Sequence, residues 1–106
     1  MRLRLDYDDQ NEELRALLPV SGTVVKRVKS AGHGEWDVFQ QDEPLAYRQV
    51  QYDRLLLRSR TVGRAIGDPD AVSVFLAVAR ELKDISDGFD FDKKDFIGWG
   101  MVTLSA

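Results

Sequence analysis

The side chains in this sequence best suited to chemistry are arginines. Between Arg48 and Arg64 stand five of them (Arg48, Arg54, Arg58, Arg60, Arg64), with no lysine and one acid, Asp53. Read as an extended strand, the alternation places Arg48, Arg54, Arg58 and Arg60 on one face beside Tyr52 and Leu56. A guanidinium is a planar fork that grips carboxylates or phosphates in pairs and stacks on aromatic rings. A row of them next to a tyrosine is a binding face for an anionic partner, either an acidic protein or a single-stranded nucleic acid. The competing reading is internal pairing. Acids cluster at positions 6–13 and 84–95 and can neutralise the row. Exposed pairs of that kind contribute only ~0–1 kcal/mol each.

The other candidates are weaker. The single histidine, His33, has Glu35 and Asp37 nearby to orient it as a general base. No serine–histidine–acid spacing accompanies it, and a solvated turn residue explains it as well. The absence of cysteine excludes a disulfide framework, a thiolate zinc site and a cysteine nucleophile. With one histidine, no transition-metal site is expected. Asp84, Asp87, Asp90, Asp92 and Asp95 offer oxygens for calcium, but a loop counted from Asp90 has Asp95 where glycine is required and Met101 where glutamate is required. Gly63-Arg64-Ala65-Ile66-Gly67 lacks the lysine and hydroxyl ending of a phosphate loop and reads as a turn. No catalytic set and no cofactor follow from these residues.

The elements that must position the arginines come next. Leu3, Leu5 and Tyr7 alternate with polar residues as a short strand. Asp8 or Asp9 caps a short helix whose Leu14, Leu17 and Leu18 form one stripe and which Pro19 ends. Thr23 to Ser30 and Glu35 to Gln41 form a hairpin around Ala31-Gly32-His33-Gly34. Asp42-Glu43-Pro44 reads as a second turn, and Leu45 to Val62 as a long extended segment buried at Leu55-Leu56-Leu57.

Residues 69–85 admit two readings. Asp68 as N-cap, Pro69 at the first helical position, the alanines and the length favour a helix. The valine-rich run from Val72 to Ala79 suits a central strand. The helix is preferred. Phe96 to Ser105 closes the chain as a strand, with two glycines around Trp99.

The chain of 106 residues is long enough for one domain with its own core, expected to span residues 1–106. Its apolar fraction of 43% and charged fraction of 31% are those of a soluble globular protein. No apolar run approaches the ~20 residues that span a bilayer. The N-terminal residues lack a signal-peptide core, so a cytoplasmic location and no membrane partner are expected. A net charge of −3 argues against nucleic-acid binding driven by overall charge, not against a local basic patch.

These observations predict an α+β domain: a mainly antiparallel sheet of five or six strands with one or two helices on one face. For function they favour a small cytosolic protein-interaction module, such as an inhibitor, immunity or adaptor protein, with a protein partner. A nucleic-acid-binding module using the arginine face is the alternative, and a small enzyme with a pocket carboxylate or histidine ranks last. The expected partner-binding residues are Arg48, Tyr52, Arg54, Arg58, Arg60 and Arg64. Exposure of Trp36, Tyr52 or Trp99 would mark an interface.

Overall fold

The structure is a computed structural model. It describes residues 1–6, 12–30, 34–79, 87 and 94–105. Six strands run in chain order: β1 (Arg2–Asp6), β2 (Val20–Ser30), β3 (Gly34–Tyr47), β4 (Val50–Ser59), β5 (Val72–Ala79) and β6 (Lys94–Leu104). Each pairs antiparallel with the next, and β6 returns to β1, so the sheet closes into a barrel. The single helix among the described residues is α1 (Glu12–Arg15), between β1 and β2.

This architecture overturns the α+β expectation. The decisive segment is Val72–Ala79, which is a strand, not the middle of a helix over residues 69–85. Val72, Val74, Leu76 and Val78 point into the barrel and are 0–2% exposed. Phe75 and Ala77 point outward against a second apolar cluster. A segment covered on both faces reads as a continuous apolar run, and the β-branched valines suit that pleated setting. Asp68 does not cap a helix. Its carboxylate turns back to accept from the Ala65 N–H (3.1 Å) and from Arg64 Nε (3.0 Å), closing the loop that precedes β5. Residues 80–85 lie outside the described residues.

The predicted hairpin forms between β2 and β3, in register from Ser30↔Gly34 to Gly22↔Gln41 with one bulge between Val24 and Lys26. Its tip, including His33, lies outside the described residues. The expected turn at Asp42-Glu43-Pro44 is instead the interior of β3, where the pairing with β4 slips between Gln40 and Leu45. Pro44 is tolerated there because no ladder donor is needed at an irregularity. Gln41 stays buried and donates from Nε2 to the Tyr52 carbonyl (3.2 Å), and Asp42 receives both terminal nitrogens of Arg2 at 2.6 Å. The chain reverses at Arg48-Gln49, whose φ angles of 50° and 69° make a two-residue hairpin turn.

The interior is filled. Leu3 and Leu5, Phe39, Leu55 and Leu57, the four inward residues of β5 and Val102 form one cluster. Connections alternate between the two barrel ends. Leu14 of α1 therefore closes one end and Ile66, from the β4–β5 connection, closes the other; both belong to the same cluster. Burying a side chain of this size contributes about 1.5–3 kcal/mol, so the barrel is organised around a dry core rather than a cavity. Gly100 is required where β6 crosses β1: an added Cβ would stand 2.7 Å from the Asp6 carbonyl oxygen. Among the described residues no helix is long and apolar enough to cross a membrane.

Candidate functional site

The register of the strands, rather than any run in the sequence, assembles the site. Val28 pairs with Trp36, Arg58 with Phe75, and Phe75 with Trp99. Trp36 precedes the Asp37↔Leu57 pair and so falls beside Arg58. One row across the outer wall of the barrel thus reads Val28, Trp36, Arg58, Phe75, Trp99. Its five residues come one each from β2, β3, β4, β5 and β6.

The wall beneath part of this row is apolar. Val38, Leu56 and Ala77 are fully buried and Trp36 is 5% exposed, although all four point away from the barrel interior. Asp87, in the connection from β5 to β6, accepts a hydrogen bond from the Lys29 N–H at 2.9 Å. That contact places Asp87 against β2. At β4, β5 and β6 Phe75 and Trp99 are half-buried and Arg58 and Arg60 are exposed.

Two arginines lie over the rings. The Arg58 guanidinium is 5.8 Å from the Trp36 ring centre. Arg60, just past the end of β4, covers both Phe75 (5.6 Å) and Trp99 (4.7 Å). Arg60 is fixed at its base by β5: its N–H donates to the Ser73 carbonyl (2.9 Å), and its NH1 donates to Ser73 Oγ (3.3 Å). Exposed cation–π contacts contribute about 0.5–1 kcal/mol each. They hold the guanidinium flat against the rings while its outer edge faces solvent. No carboxylate pairs with Arg60 among the described residues.

Lys26, Arg54 and Arg58 occupy outward positions of β2 and β4 beside this row, and the exposed acids of β3, Asp42 and Glu43, lie beyond the slip in its pairing with β4. Two outward acids are paired on the barrel. Asp6 meets Arg4 on β1 (3.3 Å), and Asp42 meets Arg2, whose hydrogen bond lowers the Asp42 pKa.

The predicted arginine face is therefore only partly assembled. Arg58 and Arg60 share it, and Arg54 lies half-buried on the same wall. Arg48 does not: it sits in the β3–β4 turn, stacked on Tyr47 (5.2 Å) and 3.6 Å from Glu13. Arg64 is built into the β4–β5 loop, bonded to Asp68 and to the carbonyls of Asp70 (3.3 Å) and Ala71 (3.1 Å). Tyr52 packs against the interior cluster. Internal pairing thus accounts for Arg48 and Arg64. The aromatic partners Trp36, Phe75 and Trp99, and the anchor Ser73, are not in the predicted set. Only strand register brings them to the arginines.

One shallow pocket of about 210 Å³ opens at the barrel end closed by Ile66. It contains two carboxylates, Glu35 and Asp37, near the histidine-bearing turn. Arg27 holds both, Asp37 at 2.9 Å from Nε and Glu35 at 3.5 Å from NH1, and Lys29 adds a second cation to Glu35 at 3.5 Å. The Asp37 hydrogen bond, ahead of its charge, raises the Arg27 pKa. The group is an ion cluster at the end of the core, with Arg27 paired to both carboxylates. Among the described residues no three His, Asp or Glu side chains gather to hold a metal. No protein-family model, curated protein or solved structure matches the chain.

Proposed function

We propose that this chain is a protein-interaction module whose docking face is the outer wall at β4, β5 and β6, centred on Arg60. An inhibitor, immunity or adaptor role needs only such an outer face, and the barrel's interior is filled by side chains. The observation that carries the reading is Arg60, held by Ser73 over Phe75 and Trp99 with no carboxylate of its own among the described residues. Arginine and tryptophan are over-represented among the residues that dominate binding energy at interfaces, and they work best where packing excludes water around them. An arginine pre-stacked on two rings loses little freedom on binding, so its contacts are not offset by ordering.

The test is an affinity capture in which wild-type chain, Arg60→Glu and Trp99→Ala are immobilised in parallel and exposed to lysate of the source cells. The expected result is a protein retained by the wild type and lost by both variants, with their melting temperatures close to wild type. Retention by all three chains alike would remove the face from consideration.

A further inference from the structure

We infer that the outer edge of β2, from Lys26 to Ser30, takes up an extended segment of a partner polypeptide as an added antiparallel strand. The inference goes beyond the docking face at β4, β5 and β6 and concerns a different part of the barrel. It starts from a mismatch in length. β1 has 5 residues and β2 has 11. Their pairing runs only from Leu5↔Val20 to Arg2↔Thr23, and the last bond between them goes from the Val24 N–H to the Met1 carbonyl (3.0 Å). β2 continues to Ser30, held by β3 on one side. Among the described residues no strand pairs with its other side past Val24. Closing a barrel removes edges only over the length that the closing strand covers.

The edge shows which groups it offers. The Lys29 N–H donates to Asp87 Oδ1 at 2.9 Å, so it points away from β3, and Lys29↔Glu35 is a wide pair of the β2–β3 ladder. Alternation then turns the N–H and C=O of Arg27, opposite Asp37, to the same edge. Arg27 and Lys29 are two residues apart, the spacing at which an antiparallel strand exchanges its paired bonds. The Asp87 carboxylate is a stand-in: an oxygen from outside the sheet holds the place of a strand carbonyl at Lys29. The added strand continues the line of β1 past Met1 and puts its own carbonyl where that oxygen was.

The side chains along this edge argue against two other occupants. A second copy docked by the same edge would set Lys26, Arg27 and Lys29 against one another, and like charges directly opposite destabilise a pair of strands. A partner chosen by charge is disfavoured as well, because Arg27 is paired with Glu35 and Asp37, and Lys29 with Glu35. What remains for recognition is the main chain, whose hydrogen bonds supply the affinity when a strand is added to a sheet.

The experiment is an NMR titration of the isotope-labelled chain with two probes: a short peptide of alternating Thr and Val carrying N-methyl groups on every second residue, and the same peptide methylated on every amide. The first keeps one hydrogen-bonding edge and cannot stack on itself; the second has no donors. The expected result is that the first peptide at about 1 mM shifts the Arg27 and Lys29 amides and slows exchange of the Arg27 amide at least about fivefold. The second should bind at least about tenfold more weakly. Lys29→Pro removes an edge donor that makes no bond to β3, so it should melt near the wild-type temperature and lose about tenfold in affinity. Asp87→Ala removes the competing acceptor and should bind the first peptide more tightly. Absence of binding, equal binding of the two peptides, shifts confined to β4, β5 and β6, full affinity in Lys29→Pro, or no gain in Asp87→Ala would each overturn the added strand. So would a dimer of the chain alone that Lys29→Pro dissociates, which would make the occupant a second copy. Capture through Arg60 reads a different surface, so either proposal can fail while the other stands.

Discussion

Replacing Gly100 with alanine tests the closure of the barrel with a single methyl group. Gly100 lies on β6 where that strand pairs with β5, opposite Val74, and faces β1 across the seam. The new Cβ would sit 2.7 Å from the Asp6 carbonyl oxygen, 3.1 Å from Leu5 Cδ1 and 3.5 Å from Leu76 Cδ1. The two leucine atoms can rotate away. The Asp6 carbonyl cannot, because it belongs to the strand whose pairing from Leu3↔Leu104 to Asp6↔Met101 closes the barrel. Relief therefore means prising β1 off β6. Overpacking of this kind costs about 1–3 kcal/mol. The reduced freedom of the unfolded chain returns about 0.4–1 kcal/mol. The net loss is roughly 1–2 kcal/mol, a fall in melting temperature of roughly 5–15 °C for a chain of this size. Urea unfolding followed by tryptophan fluorescence and far-UV circular dichroism gives the loss. Amide exchange locates it: protection should drop along β1 and β6 and hold along the β2–β3 hairpin. A variant as stable as wild type, or a loss of protection spread evenly over all strands, would refute the closed seam.

Other parts of the structure make equally specific demands. Leu76→Ala empties a fully buried inward position of β5 and should cost about 2–5 kcal/mol in urea unfolding; a cost below 1 kcal/mol would place this residue outside the core. Asp87→Ala removes the acceptor of the Lys29 N–H, so that amide should exchange faster while the Val28 amide is little changed; unchanged Lys29 exchange would show that the tie to β2 does not form. Asp68 has its pKa lowered, first by the Ala65 N–H and then by Arg64. Its contribution to loop order is present above the ordinary carboxylate value of 3.8 and is lost as pH falls through the lower folded value. A carboxyl titration by NMR should find Asp68 titrating below 3.8, and titration at or above that value would contradict the geometry of the loop.

What could be read from the sequence is what depends on neighbours in the chain. The β2–β3 hairpin follows from alternation either side of a glycine turn. Leu55-Leu56-Leu57 is buried on both faces because β4 has the barrel core on one side and the outer cluster on the other. The misses have long-range causes. Arg48-Gln49 forms the β3–β4 turn without glycine, asparagine or aspartate, the residues that usually announce such turns. Asp42-Glu43-Pro44 carries turn residues yet lies within β3, because the slip in pairing with β4 absorbs them. Val72–Ala79 is preceded by a sound helix cap, but Asp68 spends its carboxylate on the loop behind it. Closure itself pairs Leu3 with Leu104 and leaves no local trace. The site was half legible for the same reason. The arginines stand close together in sequence, whereas Trp36, Phe75 and Trp99 join them only through the register of four strands.

The most direct test of the docking face is the capture experiment with one residue changed, Arg60→Glu. The account predicts that a protein held by the wild-type chain is released when this charge is reversed, while the variant unfolds at the same urea concentration as wild type. A partner held as tightly by the reversed charge would contradict it.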